Sequence, residues 1–580
     1  MKKRIIACIL VLMMLVSAIG CGKSSAPSQT SADMDSASST GETSTGDTES
    51  QEGATGAETR EEYVIDMMDP EASSFLSTDT LLGQFIKEKF NIVFNVTSYS
   101  GNYDEQVALM VSGQSYPEIV RLRNNEDIQT YAKAGALLDL EELANSCGAQ
   151  NFLEYHRDTI QLAKMSSGDG HLYTWEYDSP QVALSSDIWI RSDVLEAAGW
   201  PDLLTEDEWI EVLKIGMEQF PETNGQPTIG LTMPGGEGYG IQGIMPILYE
   251  KGGYTAMGGN NAVIYNDKED KYEDYFQNEY VKSSLRFFNC LYQEVLLDPE
   301  CFSDLSSQTN EKAVAGRALA LWYTGGWYVK ASNAALEEAG HPEMAYVEMP
   351  IMSQDQIDNG ETRHFRELQN YPYQSMAITK NARYPERIME MLDYFSSDEG
   401  QILLGWGIED EHYTVEDGAR TPTQELLDEY HKDASYLSKQ GIGNFDFLGL
   451  SKGMDDSGQY YQMTDSKSFK LDTLSDRAKE VYGHYGWEIE EDIWFKNDRF
   501  DVEFIPSGVV GTVALDPTSS DAKLEQQLVD FRNKATVEIV MSGDFEDIYS
   551  RKLDEYKKLG AESVVAAYNK IYEEQKKALE

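Results

Sequence analysis

The chain is poor in cysteine, histidine and cations for its length. Its 580 residues include 5 Cys, 7 His and 47 Lys plus Arg, against 100 Asp plus Glu. Cys8 and Cys21 lie in the first 21 residues, which leaves Cys147, Cys290 and Cys301. An odd number of thiols cannot form a complete disulfide framework. Buried free thiols are the plainer reading, with a Cys290–Cys301 bridge as the alternative. The histidines (His156, His171, His341, His364, His412, His431 and His484) show no paired zinc spacing, so no metal site is expected. The shortage of cations leaves a formal charge of −53, a surface that repels phosphate backbones and argues against a nucleic-acid partner. After residue 21 no apolar run reaches membrane-spanning length. The motifs Gly-x-Ser-x-Gly, Gly-x-x-x-x-Gly-Lys-Ser/Thr and His-Glu-x-x-His are absent. No catalytic residue or cofactor is therefore assigned, and the chain is not expected to be an enzyme.

What is present begins at the N-terminus. Lys2, Lys3 and Arg4 precede an apolar run from Ile5 to Val16, then Ser17-Ala18-Ile19-Gly20-Cys21 places small residues before a cysteine. This resembles a bacterial lipoprotein signal with its lipobox, here Ala18-Ile19-Gly20-Cys21. The resemblance implies a signal peptide over 1–20 and a mature chain that starts at a lipidated Cys21. That chain would be held outside the cytoplasmic membrane by acyl chains worth about 0.8 kcal/mol per buried methylene. Residues 21–60 are Ser, Thr, Gly, Ala, Asp and Glu with almost no apolar content. They cannot bury a core, and a disordered tether is expected.

Order is expected from Tyr63-Val64-Ile65-Asp66-Met67, a short apolar strand. A helix follows with Leu81, Leu82, Phe85, Ile86 and Phe90 on one face, then the strand Ile92–Val96, a helix from Tyr103 to Ser112 and a strand at Glu118–Val120. Strands and helices alternating at this spacing predict parallel βαβ units, hence an α/β fold. Ligands on such sheets lie beyond the carboxyl ends of the strands, which makes Met67–Phe75 and Arg121–Asn125 candidate cleft loops. Thr205 and Glu208 form a capping box ahead of a helix over Trp209–Met217. Pro385 opens another helix, and helices are expected over 529–540, 549–559 and 564–578. Asn266–Lys271 is acidic but lacks the glycine and terminal glutamate of a calcium loop, and reads as a charged hairpin turn.

Several segments, taken in order, resemble the extracellular solute-binding lipoproteins of bacterial ABC importers, in their family 1 carbohydrate-type branch. They are Ser112-Gly113-x-x-Tyr116-Pro117-Glu118-Ile119, Tyr131-Ala132-Lys133-Ala134-Gly135-Ala136-Leu137-Leu138-Asp139-Leu140, Asp169-Gly170-His171-Leu172-Tyr173 and Trp189-Ile190-Arg191-Ser192-Asp193 with Gly199. Gly316-Arg317-Ala318-Leu319-Ala320 before Gly325-Gly326-Trp327, Ala377-Ile378-Thr379-Lys380 before Pro385, and Leu559-Gly560 with Tyr568 and Gln575 complete the set. Two departures stand out: Thr174 replaces a glycine, and Glu118 an aspartate. The resemblance implies a two-lobed, type II periplasmic-binding-protein-like fold. Residues 61–188 and 375–580 would form the first lobe plus C-terminal helices, and 189–374 the second. Hinges would lie near Leu184–Arg191 and Ser375–Thr379. It also implies a carbohydrate ligand, an ABC permease as membrane partner, a lipid anchor in the cytoplasmic membrane facing the extracellular side, and a monomer.

A saccharide site needs flat aromatic platforms for C–H faces and fixed polar groups for hydroxyls. The chain has 9 Trp and 34 Tyr. The candidates near expected inter-lobe loops are Trp175, Trp322, Trp327, Tyr373 and Trp406 as platforms, and Arg121, Glu176 and Asp187 as polar contacts. Burial in a core is the competing reading for each aromatic. Salt bridging or solvation is the competing reading for the charged three. The alternative functions are a lipid-anchored glycoside hydrolase and a binding protein for peptide or another polar solute.

Overall fold

Thr80 and Asn91 bracket the first helix, Leu81–Phe90. The Thr80 hydroxyl accepts from the Gly83 amide, and Asn91 closes the helix in the left-handed region at φ 51°. Leu82, Ile86 and Phe90, spaced four apart, are buried on its inner face. The helix connects the strands Tyr63–Met68 and Ile92–Thr97, which pair in parallel from Tyr63 opposite Ile92 to Met68 opposite Thr97. The strand Ile119–Leu122 joins on the other side, also parallel. This is the expected βαβ arrangement. The computed structural model divides at residue 54, into 1–54 and 55–580. It describes residues 60–69, 76–97, 103–175, 188–236, 254–255, 262–266, 269–322, 325–365, 375–451, 453–502 and 508–579. The signal, Cys21 and the tether lie outside these.

The first sheet is completed by two antiparallel strands. Ser375–Ile378 runs beside Ile119–Leu122, and Thr174–Trp175 beside Ser375–Ile378. A second, four-stranded sheet has the order Tyr346–Glu348, Ile188–Arg191, Ala318–Trp322, Ile229–Thr232. Arg191 fixes the end of the strand Ile188–Arg191. Fully buried, it pairs with Asp193 through Nε at 3.0 Å and through Nη2, and donates from Nη1 to the Gly316 carbonyl at 2.6 Å and to Thr223 Oγ1 at 3.2 Å. The Arg-Ser-Asp step thus turns the strand into the helix Ser192–Ala197 while every charge stays matched. Thr205 and Glu208 form the expected capping box, on a helix that begins at Glu206 and runs to Gln219. Pro385 opens the helix Pro385–Phe395.

Apolar side chains collect in two main cores. One gathers Tyr63, Ile65, Met67, Ile119, Trp175, Met376 and Ile378 with Phe395, Trp406, Phe447 and Phe469. The other gathers Ile188, Ile190, Leu231, Leu319 and Trp322 with Val481, Leu528, Ile539, Tyr556 and Tyr568. The C-terminal helices Ser520–Val540, Phe545–Lys557 and Ala561–Leu579 pack into the second core, not the first. Their Tyr and Leu faces complete the side of the second lobe where the hairpin Val263–Asn266 and Lys271–Asp274 lies, with Tyr265, Tyr272 and Tyr572 in mutual ring contact. The described parts of the expected hinges, Ile188–Arg191 and Ser375–Ile378, are buried strands inside the sheets. Cys147, Cys290 and Cys301 are free thiols, so the bridge alternative does not form.

One buried carboxylate in this packing titrates near neutrality. Glu525 accepts from the Tyr568 hydroxyl at 3.1 Å on both oxygens and from the Ala262 amide at 3.0 Å. Burial pushes its pKa up to about 7; Glu126 adds to the rise, while Tyr568, the Ala262 amide and Arg532 oppose it. Below about pH 4.5 the carboxyl is protonated in both folded and unfolded chains. Between there and about 7 the folded chain keeps a proton that the unfolded chain has lost. Stability therefore falls as pH rises through that window, by roughly 3 kcal/mol, and stays reduced above it. Glu525→Gln should remove this loss. Melting temperatures from pH 4.5 to 8 should fall more for the parent than for the variant, and parallel curves would contradict the assignment.

Candidate functional site

Where a parallel strand leads into the next element, its last side chains point to the carboxyl edge of the sheet, and the edge between divergent connections is the usual place for a ligand. In the first sheet this edge lies between Tyr63–Met68 and Ile119–Leu122. Asp69 follows the first strand directly and is 1 % exposed. Arg121, in the second, is 3 % exposed and donates from Nη1 to Asp69 Oδ1 at 2.8 Å. The strand register thus brings two opposite charges together out of water, where each makes the other tolerable. The Tyr103 hydroxyl donates to the Arg121 carbonyl at 2.7 Å, and burial pushes that phenol well above its usual range.

The next turn adds a second charge pair. Arg123 lies over the Tyr103 ring, 3.7 Å from its centroid, and its amide donates to Asp127 Oδ2 at 3.1 Å. Asn124 caps the helix Asn125–Lys133, accepting from the Asp127 amide at 3.0 Å. Glu126 and Asp127 in the first turn and Lys133 in the last match the helix dipole. Ser375, opposite Leu122 in the sheet, is fully buried, and its hydroxyl has no hydrogen-bond partner among the described residues.

The corresponding edge of the second sheet is held by a lysine. After Ile229–Thr232 the chain enters Met233-Pro234-Gly235-Gly236. A Cβ on Gly235 would stand 2.7 Å from the Cys301 carbonyl oxygen, and one on Gly236 2.5 Å from that of Ser303. Only glycine allows this approach. Lys312, 8 % exposed, secures the facing loop. It donates to Asp298 at 2.6 Å, to Glu300 at 3.3 Å and to Asp304, and Asp298 also accepts from Thr232 at 2.8 Å. Burial raises the Asp304 carboxyl even beside this cation.

The structure places the sequence candidates unevenly. Arg121 stands at the first edge, inside a strand and not in a loop, with its guanidinium on Asp69. Trp175, Trp322 and Trp406 are core residues. Trp175 is 1 % exposed and donates to the Phe447 carbonyl at 2.8 Å. Trp322 is fully buried, edge-on to Phe288 at 5.0 Å. Trp406 donates to the Tyr460 carbonyl at 2.9 Å, with Arg420 over its ring. For Trp175 and Trp406 a strand or helix end aims the indole inward and a backbone carbonyl satisfies its N–H, and Trp322 ends a fully buried strand. Trp327 belongs to the helix Gly325–Glu338, and its side chain lies outside the described part. Glu176, Asp187 and Tyr373 lie outside the described residues. Sequence reasoning missed the roles of Asp69, Tyr103 and Lys312. An aspartate one residue past a parallel strand was the available signal for the first. Nothing local marks the other two. Among the described residues no cluster of three or more His, Cys, Asp or Glu suited to a metal occurs.

The chain matches the model of the bacterial extracellular solute-binding protein family over residues 72–402, more than half its length, and belongs to that family. It is similar to lipoprotein LipO of Bacillus subtilis, 23 % identical over 487 residues, covering 83 % of this chain and 85 % of LipO. The fold is shared with an extracellular solute-binding protein of Bifidobacterium longum subsp. infantis (14 % identity, 89 % and 98 % of the two chains, TM-score 0.61). It is also shared with the alginate-binding protein AlgQ2 without calcium ion (14 %, 89 % and 99 %, 0.57). A third example is the ABC-transporter substrate-binding protein FusA of Streptococcus pneumoniae in complex with kestose (15 %, 89 % and 100 %, 0.56). The fold is therefore the two-lobed α/β architecture that the sequence suggested.

The buried pair at the first edge yields a test. Arg121→Met removes from a dry site the guanidinium that donates to Asp69 and should lower the unfolding free energy by about 3 kcal/mol. Denaturant unfolding measures this, and a variant as stable as the parent would show that the pair is not buried.

Proposed function

We propose that this protein captures a carbohydrate, an oligosaccharide, by closing its two lobes over it, and delivers it to an ABC permease in the membrane. The observation that carries the reading is the pairing of two separately cored α/β lobes, each with a parallel-strand edge built from matched charges and close backbone turns. Family membership gives the class of protein, and the saccharides named for AlgQ2 and FusA support the ligand class. In this reading the first lobe comprises residues 61–188 and the return from 375, and the second 189–374 with the C-terminal helices. A ligand touching both edges only when they approach shifts the population towards closure. The protein acts as a monomer and without chemical conversion of its guest. Glu176, Asp187, Trp327 and Tyr373 remain proposed contacts.

Calorimetry of the purified protein against neutral and acidic oligosaccharides should find at least one with micromolar or tighter affinity, about 8 kcal/mol of binding free energy. Product release from the glycans, or tight binding of a peptide or other solute with no saccharide binding, would overturn the assignment.

The same reading places residues 1–20 as a signal, Cys21 as the lipidated residue and 21–60 as the tether on the outer face of the cytoplasmic membrane. The name of LipO supports it. Cys21→Ser should release the protein from the membrane fraction into the medium. Retention of the variant would contradict lipid anchoring at that residue.

A further inference from the structure

The chain passes between the cores a third time, at residues 473–476. The helix Lys467–Thr473 seats Phe469 in the first core, and the helix Asp476–Tyr485 seats Val481 and Tyr482 in the second. Only Leu474 and Ser475 separate them, both extended, with φ/ψ of −61°/133° and −63°/155°. Ser475 caps the second helix by accepting from the Ala478 amide at 3.1 Å. Arg477 then ties that helix to the second lobe through Ser192 Oγ and Glu196, both at 2.9 Å. Two extended residues between anchored helices can absorb a rotation, with Leu474 keeping its packing against the second core.

Beside this link Lys467 and Lys470 pair with Glu488 and Glu491 at the surface, and a further side-chain pair, Lys330 with Tyr430, reaches from lobe to lobe. Tyr430, on the helix Gln424–Lys432, packs against the first core with its ring edge-on to Phe469 at 5.0 Å. Its hydroxyl accepts from Lys330 Nζ at 2.8 Å, and the ammonium stands 5.4 Å from the ring centroid. Lys330 lies on the helix Gly325–Glu338, whose Leu336 packs with Trp189 and Leu321 of the second sheet. Both partners are at the surface, so they contribute little to the fold of either lobe. They also depend on the relative position of the lobes, because each is fixed to a different core.

We propose that Lys330 and Tyr430 form a clasp between the lobes, made in the arrangement seen here and broken when the lobes rotate about Leu474–Ser475. This rests on the reading that the lobes move to take up ligand. An exposed ammonium–phenol contact with cation–π character is worth about a 2- to 5-fold change in an equilibrium constant. That is negligible for folding and substantial for a closure equilibrium of a few kcal/mol.

The test needs no ligand. Spin labels on Cys147, exposed in the first lobe, and on Ala197→Cys, exposed in the second, report the inter-lobe distance by pulsed electron resonance. Tyr430→Phe keeps the ring on Phe469 and removes only the hydroxyl. Lys330→Met keeps the helix and removes the charge. Each should lower the population at the distance of the arrangement seen here 2- to 5-fold with an unchanged melting temperature. The double variant should match the single ones, because the second change has no partner left to lose. Unchanged distances, or effects that multiply in the double variant, would overturn the clasp. Because no saccharide enters the measurement, failure of the glycan assignment would leave this result readable on its own.

Discussion

Each lobe buries its own apolar side chains, and this separation of cores is the constraint on which everything else depends. Side chains from 63 to 175 and from 376 to 469 fill one core. Those from 188 to 351 and from 481 to 572 fill the other. Described polar contacts between the two lie at the surface and include Asn125 with the Gly511 carbonyl, Lys133 with Asp516, Lys467 with Glu488, Lys470 with Glu491, and Lys330 with Tyr430. Breaking such contacts costs little, whereas opening either core would cost most of the stability of a domain. Rigid lobes joined by weak contacts are what movement about a hinge requires.

The charges follow the same logic. A chain carrying −53 has few cations to spend on structure, yet Arg121, Arg191 and Lys312 are all placed in buried positions beside carboxylates. They stand at the carboxyl edges of the sheets or at a strand end, where backbone directions converge and a loose side chain would blur the geometry. Such buried pairs add little net stability, but removing one member is expensive. Their effect here is to fix the chain leaving Met68, Leu122 and Thr232 in one position.

Much of this was legible in sequence. The alternation of apolar strands with capped amphipathic helices at 63–122 gave the parallel units, because periodicity and capping are local properties. The chain-wide order of short motifs pointed to the family, and the solute-binding fold bears that out. The aromatic candidates were not legible. Trp175, Trp322 and Trp406 sit beside glycines or strand ends, as platform residues would. Whether such an indole faces a gap or a core depends on which distant carbonyl receives its N–H: Phe447 for Trp175 and Tyr460 for Trp406. The core against which the C-terminal helices pack was not legible for the same reason. Their amphipathic faces announce that they pack, but it takes distant partners such as the Ala262 amide on Glu525 and Tyr265 on Tyr572 to say against which lobe.

The central claim is that two separately cored lobes close around a ligand without unfolding. Small-angle X-ray scattering through a titration with the tightest-binding oligosaccharide measures this directly. The account predicts that the radius of gyration falls to a plateau at one equivalent of ligand. A radius that stays constant through saturation would contradict it.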